Sequence, residues 1–251
     1  MRREFEVYSP TIEKYSVDEC FIDMTETMRL FGDPVETAYE LKDKIKSKLG
    51  FTVNIGVAPN KLLAKMASDF EKPDRVHTLF YEEIPKKMWP LPVENLFFVG
   101  RATRKKLYNL GIFTIGQLAQ FDLELLKLHV GNKYGIMIHN YANGIDDSRV
   151  EEEPPINKGY GNSTTISHDV SDWTEGKKII LSLVENVATR LRQDRVKTNC
   201  ICLELKTSGF HTYSHQKTLK GATDITNDIY QAAAELFEEM WQEEPLRLIG
   251  V

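Results

Sequence analysis

The stretch Ile12 to Thr25 (IEKYSVDECFIDMT) is rich in β-forming side chains and carries carboxylates at its middle, which predicts two short strands joined tightly near Asp18-Glu19. The acids then sit at the turn. Pro34 opens a run in which Val35, Ala38, Leu41, Ile45 and Leu49 recur at three-to-four spacing and which stops at Gly50, as a helix would. Phe51 to Val57 follows as a strand. Asn60 is placed to cap another helix, whose Leu63, Met66, Ala67 and Phe70 make one apolar stripe before Lys72-Pro73 ends it. The product is a strand-helix-strand unit.

Between Tyr81 and Pro92 three prolines and Trp89 break the periodicity, and a domain boundary is expected there. From 93 to 145 short helical stretches are separated by Gly100, Gly111, Gly131 and Gly144, the pattern of a small all-helical unit. Glu151-Glu152-Glu153-Pro154-Pro155 combines a charge run with two prolines and reads as an extended linker. The expected organisation is therefore 1–90, 91–150, a linker at 151–157, and 158–251.

The last part has the most regular pattern. A strand near Lys158–Thr165 leads to a helix carrying Ile179, Ile180, Leu183, Val187 and Leu191, then to strands near 199–207 and 212–220. A second helix carries Ile225, Ile229, Leu236, Phe237, Met240 and Trp241, and Leu246–Val251 closes the unit as a strand. The order βαββαβ packs two helices on one face of a four-stranded sheet. Within 199–207, Ile201, Leu203 and Leu205 share one face and Cys200, Cys202, Glu204 and Lys206 the other, so one sheet face should be open to solvent or a partner.

Composition changes this picture little. At 251 residues the chain is long enough for two or three cores, and no apolar run approaches the roughly 20 residues needed to span a bilayer. The N-terminus lacks the character of a secretory signal, so a soluble, cytoplasmic protein is expected, with its three cysteines reduced. A net charge of −5 argues against a nucleic-acid partner. The distribution argues the other way. From Glu175 to Lys220 there are nine Lys/Arg against four acids, while Gly221 to Glu244 holds seven acids and no Lys or Arg. Segregation of this kind gives one part of a domain an anion-attracting surface. A solvated charge run fits the same count.

Adjacent Asp18 and Glu19 at a strand turn could hold hard cations, because carboxylate oxygens suit Mg²⁺; a solvated acidic turn is the commoner meaning of such a pair. The wider pattern bears on that choice. YSVDECFIDMT resembles the palm motif of Y-family (lesion-bypass) DNA polymerases, and NIGVAPNKLLAKMASDFEKPDR resembles a second motif of that family, with Arg75 where the family has glycine. LFFVGRATRKKLYNLGIFTIGQLA resembles the helix-hairpin-helix of the family's thumb, with Ala102 in place of a second glycine, and the C-terminal unit from GYGNSTT to PLRLIGV resembles the little finger. The motifs occur in family order over nearly the whole chain.

The resemblance implies an α+β fold: a partial ferredoxin-like palm, a small helical thumb and a βαββαβ little finger. It implies that Asp18 and Glu19 are catalytic metal ligands for two Mg²⁺ ions, and that Lys72 meets the incoming deoxynucleoside triphosphate. Gly100, Arg101, Arg104 and Lys105, with Lys106 nearby, would meet primer-template DNA at the hairpin. Lys206, Lys217 and Lys220 would do so on the sheet. A sliding clamp reached through a tail not present here is a further partner the resemblance leaves open. Gln117 to Phe121 faintly matches a clamp-binding peptide, but Leu118 fits the hairpin's core better. Family members carry an earlier strand with a further metal-binding aspartate, together with the fingers, and no Asp-x-Asp-x-Phe-Phe pattern occurs here. The chain alone is therefore expected to be an inactive fragment of a translesion polymerase, the alternative being a non-catalytic damaged-DNA-binding or regulatory module derived from one.

Overall fold

A computed structural model describes residues 2–153 and 157–251; Pro154, Pro155 and Ile156 of the expected linker lie outside the described residues. The chain divides into two compact units at Pro154/Pro155. The first runs α1 (Arg2–Phe5), β1 (Ile12–Lys14), β2 (Cys20–Ile22), α2 (Met28–Phe31), α3 (Pro34–Leu49), β3 (Ile55–Val57), α4 (Lys61–Ser68), β4 (Val76–Thr78), α5 (Ile84–Lys87), α6 (Arg101–Asn109), α7 (Ile115–Gln120), α8 (Leu123–Val130) and α9 (Asn132–Ala142). The second runs β5 (Ser163–Val170), α10 (Trp173–Gln193), β6 (Thr198–Thr207), β7 (Thr212–Thr223), α11 (Thr226–Met240) and β8 (Leu246–Gly250).

In the first unit β1 and β2 form an antiparallel hairpin, with Glu13 opposite Phe21 and Lys14 opposite Cys20. Its turn is closed by the Glu19 carbonyl, which accepts the Tyr15 and Ser16 N–H groups at 3.0 and 3.1 Å. β3 and β4 are parallel neighbours joined through α4, since parallel strands need a crossover connection. The sequence pattern begins β3 at Phe51, whereas the ladder holds only Ile55–Val57. Asn54 accounts for the difference: its side chain accepts the Arg75 N–H and donates to the Ser68 and Glu71 carbonyls, which fixes the chain outside the ladder. Gly56 is obligatory, since a Cβ there would lie 1.9 Å from the Ala64 carbonyl oxygen.

α3 begins and ends as its residues dictate. The Asp33 carboxylate accepts the Val35 and Glu36 N–H groups, and Gly50 closes the helix at φ +76°. Its apolar face, Leu41 and Ile45, packs with Phe5, Tyr8 and Ile12 in a small core. A larger core joins Leu62, Leu63 and Met66 of α4 to Leu107, Ile115, Leu118, Leu126 and Ile138 of the helices after residue 100. Each such fully buried aliphatic side chain contributes about 1.5–3 kcal/mol. Within Gln117 to Phe121, Leu118 is fully buried and Ala119 buried beside it, so Leu118 belongs to the core, as its spacing suggests, while Gln117 and Gln120 are exposed.

The second unit is the predicted βαββαβ, with strand order β5-β8-β6-β7 and both helices on one face. Ile201, Leu203 and Leu205 are buried, and Cys200, Cys202 and Glu204 are exposed. β5 lies five residues later than the sequence pattern puts it. Its outer face is Ser163, Thr165 and Ser167, so no apolar alternation announces it, and the ladder is set instead by pairing with β8. Ile225, read as part of the second helix's apolar stripe, is instead its N-cap and largely exposed. Trp173, Phe237 and Trp241 cluster with ring centroids 4.5–5.1 Å apart and close the core at one end.

Candidate active site and DNA-facing surfaces

The β1–β2 hairpin sets Glu13, Glu19 and Phe21 toward α4. Glu13 pairs with Lys61 at 2.6 Å, and one helical turn further Glu19 pairs with Lys65 at 2.6 Å. Lys61 also lies over the Phe21 ring and donates to the Arg149 carbonyl, which fixes the hairpin against the helix. Tyr15 packs edge-on against Phe21, with Phe97 beside it. On this platform Asp18 is exposed at the apex, beside an almost fully exposed Val17, and its carboxylate accepts the Ser16 hydroxyl at 2.8 Å.

Lys65 also reaches Asp69 at 2.9 Å, and Asp69 reaches Lys72 at 2.7 Å. Alternating charges thus run Glu19, Lys65, Asp69, Lys72. Burial works against the charge on Lys65, but its hydrogen bonds to Glu19 and Asp69 outweigh it and raise its pKa. Burial likewise works against the Asp69 carboxylate, yet Lys72 and Lys65 hold its pKa below the usual range. After Lys72 the left-handed residue is Asp74 (φ +60°), so Arg75 carries no strain where the family has glycine. Asp74 is held by Lys46 at 2.6 Å and Lys42 at 3.2 Å, both from α3.

Asp18 and Glu19 are adjacent in sequence and carboxylate oxygens suit a hard divalent cation, but only Asp18 is fully open to solvent, Glu19 is engaged by Lys65, and two side chains do not surround two ions. Among the described residues, no group of three or more His, Cys, Asp or Glu side chains stands together as a metal site. Cys20, next to Glu19, is half-buried, and that burial pushes its thiol up to about 11.

The helix-hairpin-helix residues lie at the start of α6. Gly100 is the N-cap, with extended backbone and open space around its Cα, and no side chain caps the first-turn N–H groups. α4 differs: Asn60 accepts the Leu63 N–H, and Asp146 accepts the Leu62 N–H. Arg101, Arg104 and Lys105 are exposed around the open end of α6, with Lys106 following. Glu94 approaches Arg104 only at 3.8 Å and accepts the Tyr108 hydroxyl.

On the sheet of the second unit the three candidate lysines separate. Lys206 and Lys220 belong to the open face, Lys206 beside Thr212 and Lys220 exposed next to Leu219, which turns to the core. Lys217 corrects the sequence reading. It opposes the buried Ile201, so it points to the helix side, where it pairs with Glu235 of α11. A cation the sequence did not single out is Arg247. It falls at the irregularity where β8 shifts register against β6, which re-aims it, and its guanidinium lies over the Phe210 ring, as the Lys206 ammonium does. Nothing in the sequence marks that bulge. Lys65 had a visible signal, four residues from both Lys61 and Asp69.

The fold and these motifs together define a class. Residues 1–69 match the impB/mucB/samB family, 94–146 the thumb domain described for DNA polymerase-iota, and 157–251 the impB/mucB/samB family C-terminal domain. The chain belongs to this family, that of the Y-family DNA polymerases.

Its relatives include DNA polymerase IV of Clostridium acetobutylicum, 47% identical over 97% of this chain and 61% of that protein. DNA polymerase IV of Acetivibrio thermocellus is 38% identical over 100% of this chain and 63% of that protein. The chain thus spans about three fifths of the length of these relatives. A chimeric Y-family DNA polymerase shares the fold at a TM-score of 0.80 with 23% identity, over 99% of this chain and 73% of that one. Among the described residues no helix is long and apolar enough to cross a membrane.

Proposed function

We propose that this chain is the palm, thumb and little-finger portion (1–90, 91–150 and 158–251) of a translesion DNA polymerase, which adds deoxynucleotides to a primer opposite damaged template bases. The observation that carries the reading is the placement of Asp18 and Glu19 at one hairpin apex, tied through Lys65 and Asp69 to Lys72. Asp18 and Glu19 would hold Mg²⁺, which when bound supplies positive charge at the phosphates undergoing transfer. Lys72 is mostly exposed and would neutralise charge on the departing pyrophosphate. The N–H groups at the start of α6, with Arg101, Arg104 and Lys105, would take a DNA phosphate, and Lys206 and Lys220 others. Such contacts position a duplex without reading its sequence.

The test is primer extension. A longer polypeptide that includes these residues should extend a primer, and Asp18→Ala or Glu19→Ala should abolish extension while leaving DNA affinity largely intact. This chain alone should give none, since two carboxylates cannot fix both ions. Extension by the 251-residue chain that vanishes in Asp18→Ala would overturn the fragment reading. The alternative is a non-catalytic damaged-DNA-binding or regulatory module derived from such a polymerase. DNA binding without extension by any longer product would support it.

A further inference from the structure

The four-residue ion row does more than pin a helix to a hairpin. We infer that Lys65 is the resident counter-cation of Glu19, and that it passes to Asp69 when a divalent metal takes Glu19, which couples the Glu19 end of the row to Lys72. The inference rests on the metal-site reading above. Its observations are geometric. The Lys65 ammonium lies 2.6 Å from Glu19 and 2.9 Å from Asp69, with its side chain mostly buried, so it is shared between two anions and screened from water. Asp69 is shared in turn with Lys72 at 2.7 Å.

An ammonium in contact with Glu19 and a dication on the same carboxylate repel one another, so the two compete for Glu19. Lys65 need not lose its charge or enter water when displaced, because Asp69 already accepts from it. Drawn fully onto Asp69, Lys65 satisfies that carboxylate and loosens its hold on Lys72. Lys72, the most exposed member of the row, is then freer to meet an incoming triphosphate. By linkage, an anion that removes Lys72 from Asp69 favours the Lys65–Asp69 pair and leaves Glu19 freer for metal. A fixed ion network with no handover would leave Glu19 equally available whatever happens to Asp69.

The experiment is a Mg²⁺ titration of the isotope-labelled chain followed by NMR at the backbone amides of Glu19 and Cys20. Glu19→Gln should remove the saturable response; if it does not, the metal assignment itself fails. Lys65→Gln should tighten Mg²⁺ by about five-fold or more, and Lys65→Arg, which keeps the charge, should stay near the unsubstituted chain. Asp69→Asn should weaken Mg²⁺ by roughly two- to five-fold, because Lys65 then depends on Glu19 alone. In the Lys65→Gln background the Asp69→Asn effect should disappear. Additive effects would mean independent charges and no handover. Unchanged or weaker binding in Lys65→Gln, or no response in either that variant or the unsubstituted chain, would overturn the inference. Retained amide shifts along α4 distinguish these outcomes from loss of fold.

Discussion

Lys217 stands directly opposite Ile201 across the β6–β7 ladder and pairs with Glu235 on α11, so it belongs to the helix-covered side of the sheet. Lys206 and Lys220, on the other face, are the sheet lysines that DNA could reach. Reversing Lys206 and Lys220 to Glu should therefore weaken binding of two unrelated primer-templates alike. It should also flatten the salt dependence by about 0.9 in slope for each phosphate that is no longer neutralised. Reversing Lys177 and Lys217, whose partners are Glu238 and Glu235, makes the same charge change on the helix side. That pair should leave the slope nearly unchanged and lower the melting temperature instead. Equal effects on anisotropy across a salt series would remove the open face from the DNA surface.

Gly56 gives a sharper test of the first unit. A methyl group there would lie 1.9 Å from the Ala64 carbonyl oxygen and 2.7 Å from the Ser68 nitrogen, both backbone atoms of α4 that cannot swing aside. Gly56→Ala should cost about 3 kcal/mol or more, near the upper end of overpacking. A urea midpoint unchanged at constant slope would show that α4 and β3 are not packed this closely.

Elements with strong periodicity or explicit caps were legible: α3 between Asp33 and Gly50, α4 from Asn60, and the βαββαβ order of the second unit. Less legible was anything set by register. Lys217 is four residues beyond Tyr213 and alternates with polar neighbours, so only its pairing with Ile201 says which face it takes. β5 hides for a related reason, since its outward hydroxyls and inward residues are too mixed to show a two-residue period. At the site, the carboxylates Asp18 and Glu19 were visible as a motif. Their engagement was not: sequence spacing puts Lys65 near Asp69 on one helix face, but Glu19 lies 46 residues away and meets it only through the packing of hairpin on helix.

The cysteines should differ in reactivity. Cys200 and Cys202 are exposed on the open sheet face, whereas Cys20 faces the small core and its thiol is held up to about 11 by burial. At pH 8 a disulfide reagent should label two thiols quickly and the third only as the hairpin opens. A raised folded-state value means that the neutral thiol favours the fold below its unfolded pKa of about 8.5 and that this contribution is lost as pH rises through about 11. Comparison with Cys20→Ala over pH 8 to 11 should isolate a loss on the order of 1–2 kcal/mol, allowing for the partial exposure of the thiol. Three equally fast thiols would place Cys20 outside the core.

The open start of α6 sets stability against binding. Gly100 has extended backbone, φ −86° and ψ 178°, which any residue adopts, and nothing lies within 4 Å of where its Cβ would be. Asp fits there as an N-cap, with its carboxylate accepting first-turn N–H groups that no side chain now caps. Gly100→Asp should raise stability by a few tenths of a kcal/mol up to about 1, since Gly is already a tolerable cap and the negative charge suits the helix dipole. The same carboxylate would occupy the N–H groups proposed for a DNA phosphate and repel that phosphate beside Arg101 and Lys105. DNA affinity at low salt should fall by about ten-fold, the equivalent of one charge-assisted hydrogen bond. Gly100→Ala separates the two effects, because it fills the same space without a carboxylate and should leave binding near its original level. A more stable Gly100→Asp chain with undiminished affinity would show that DNA does not dock at the start of α6.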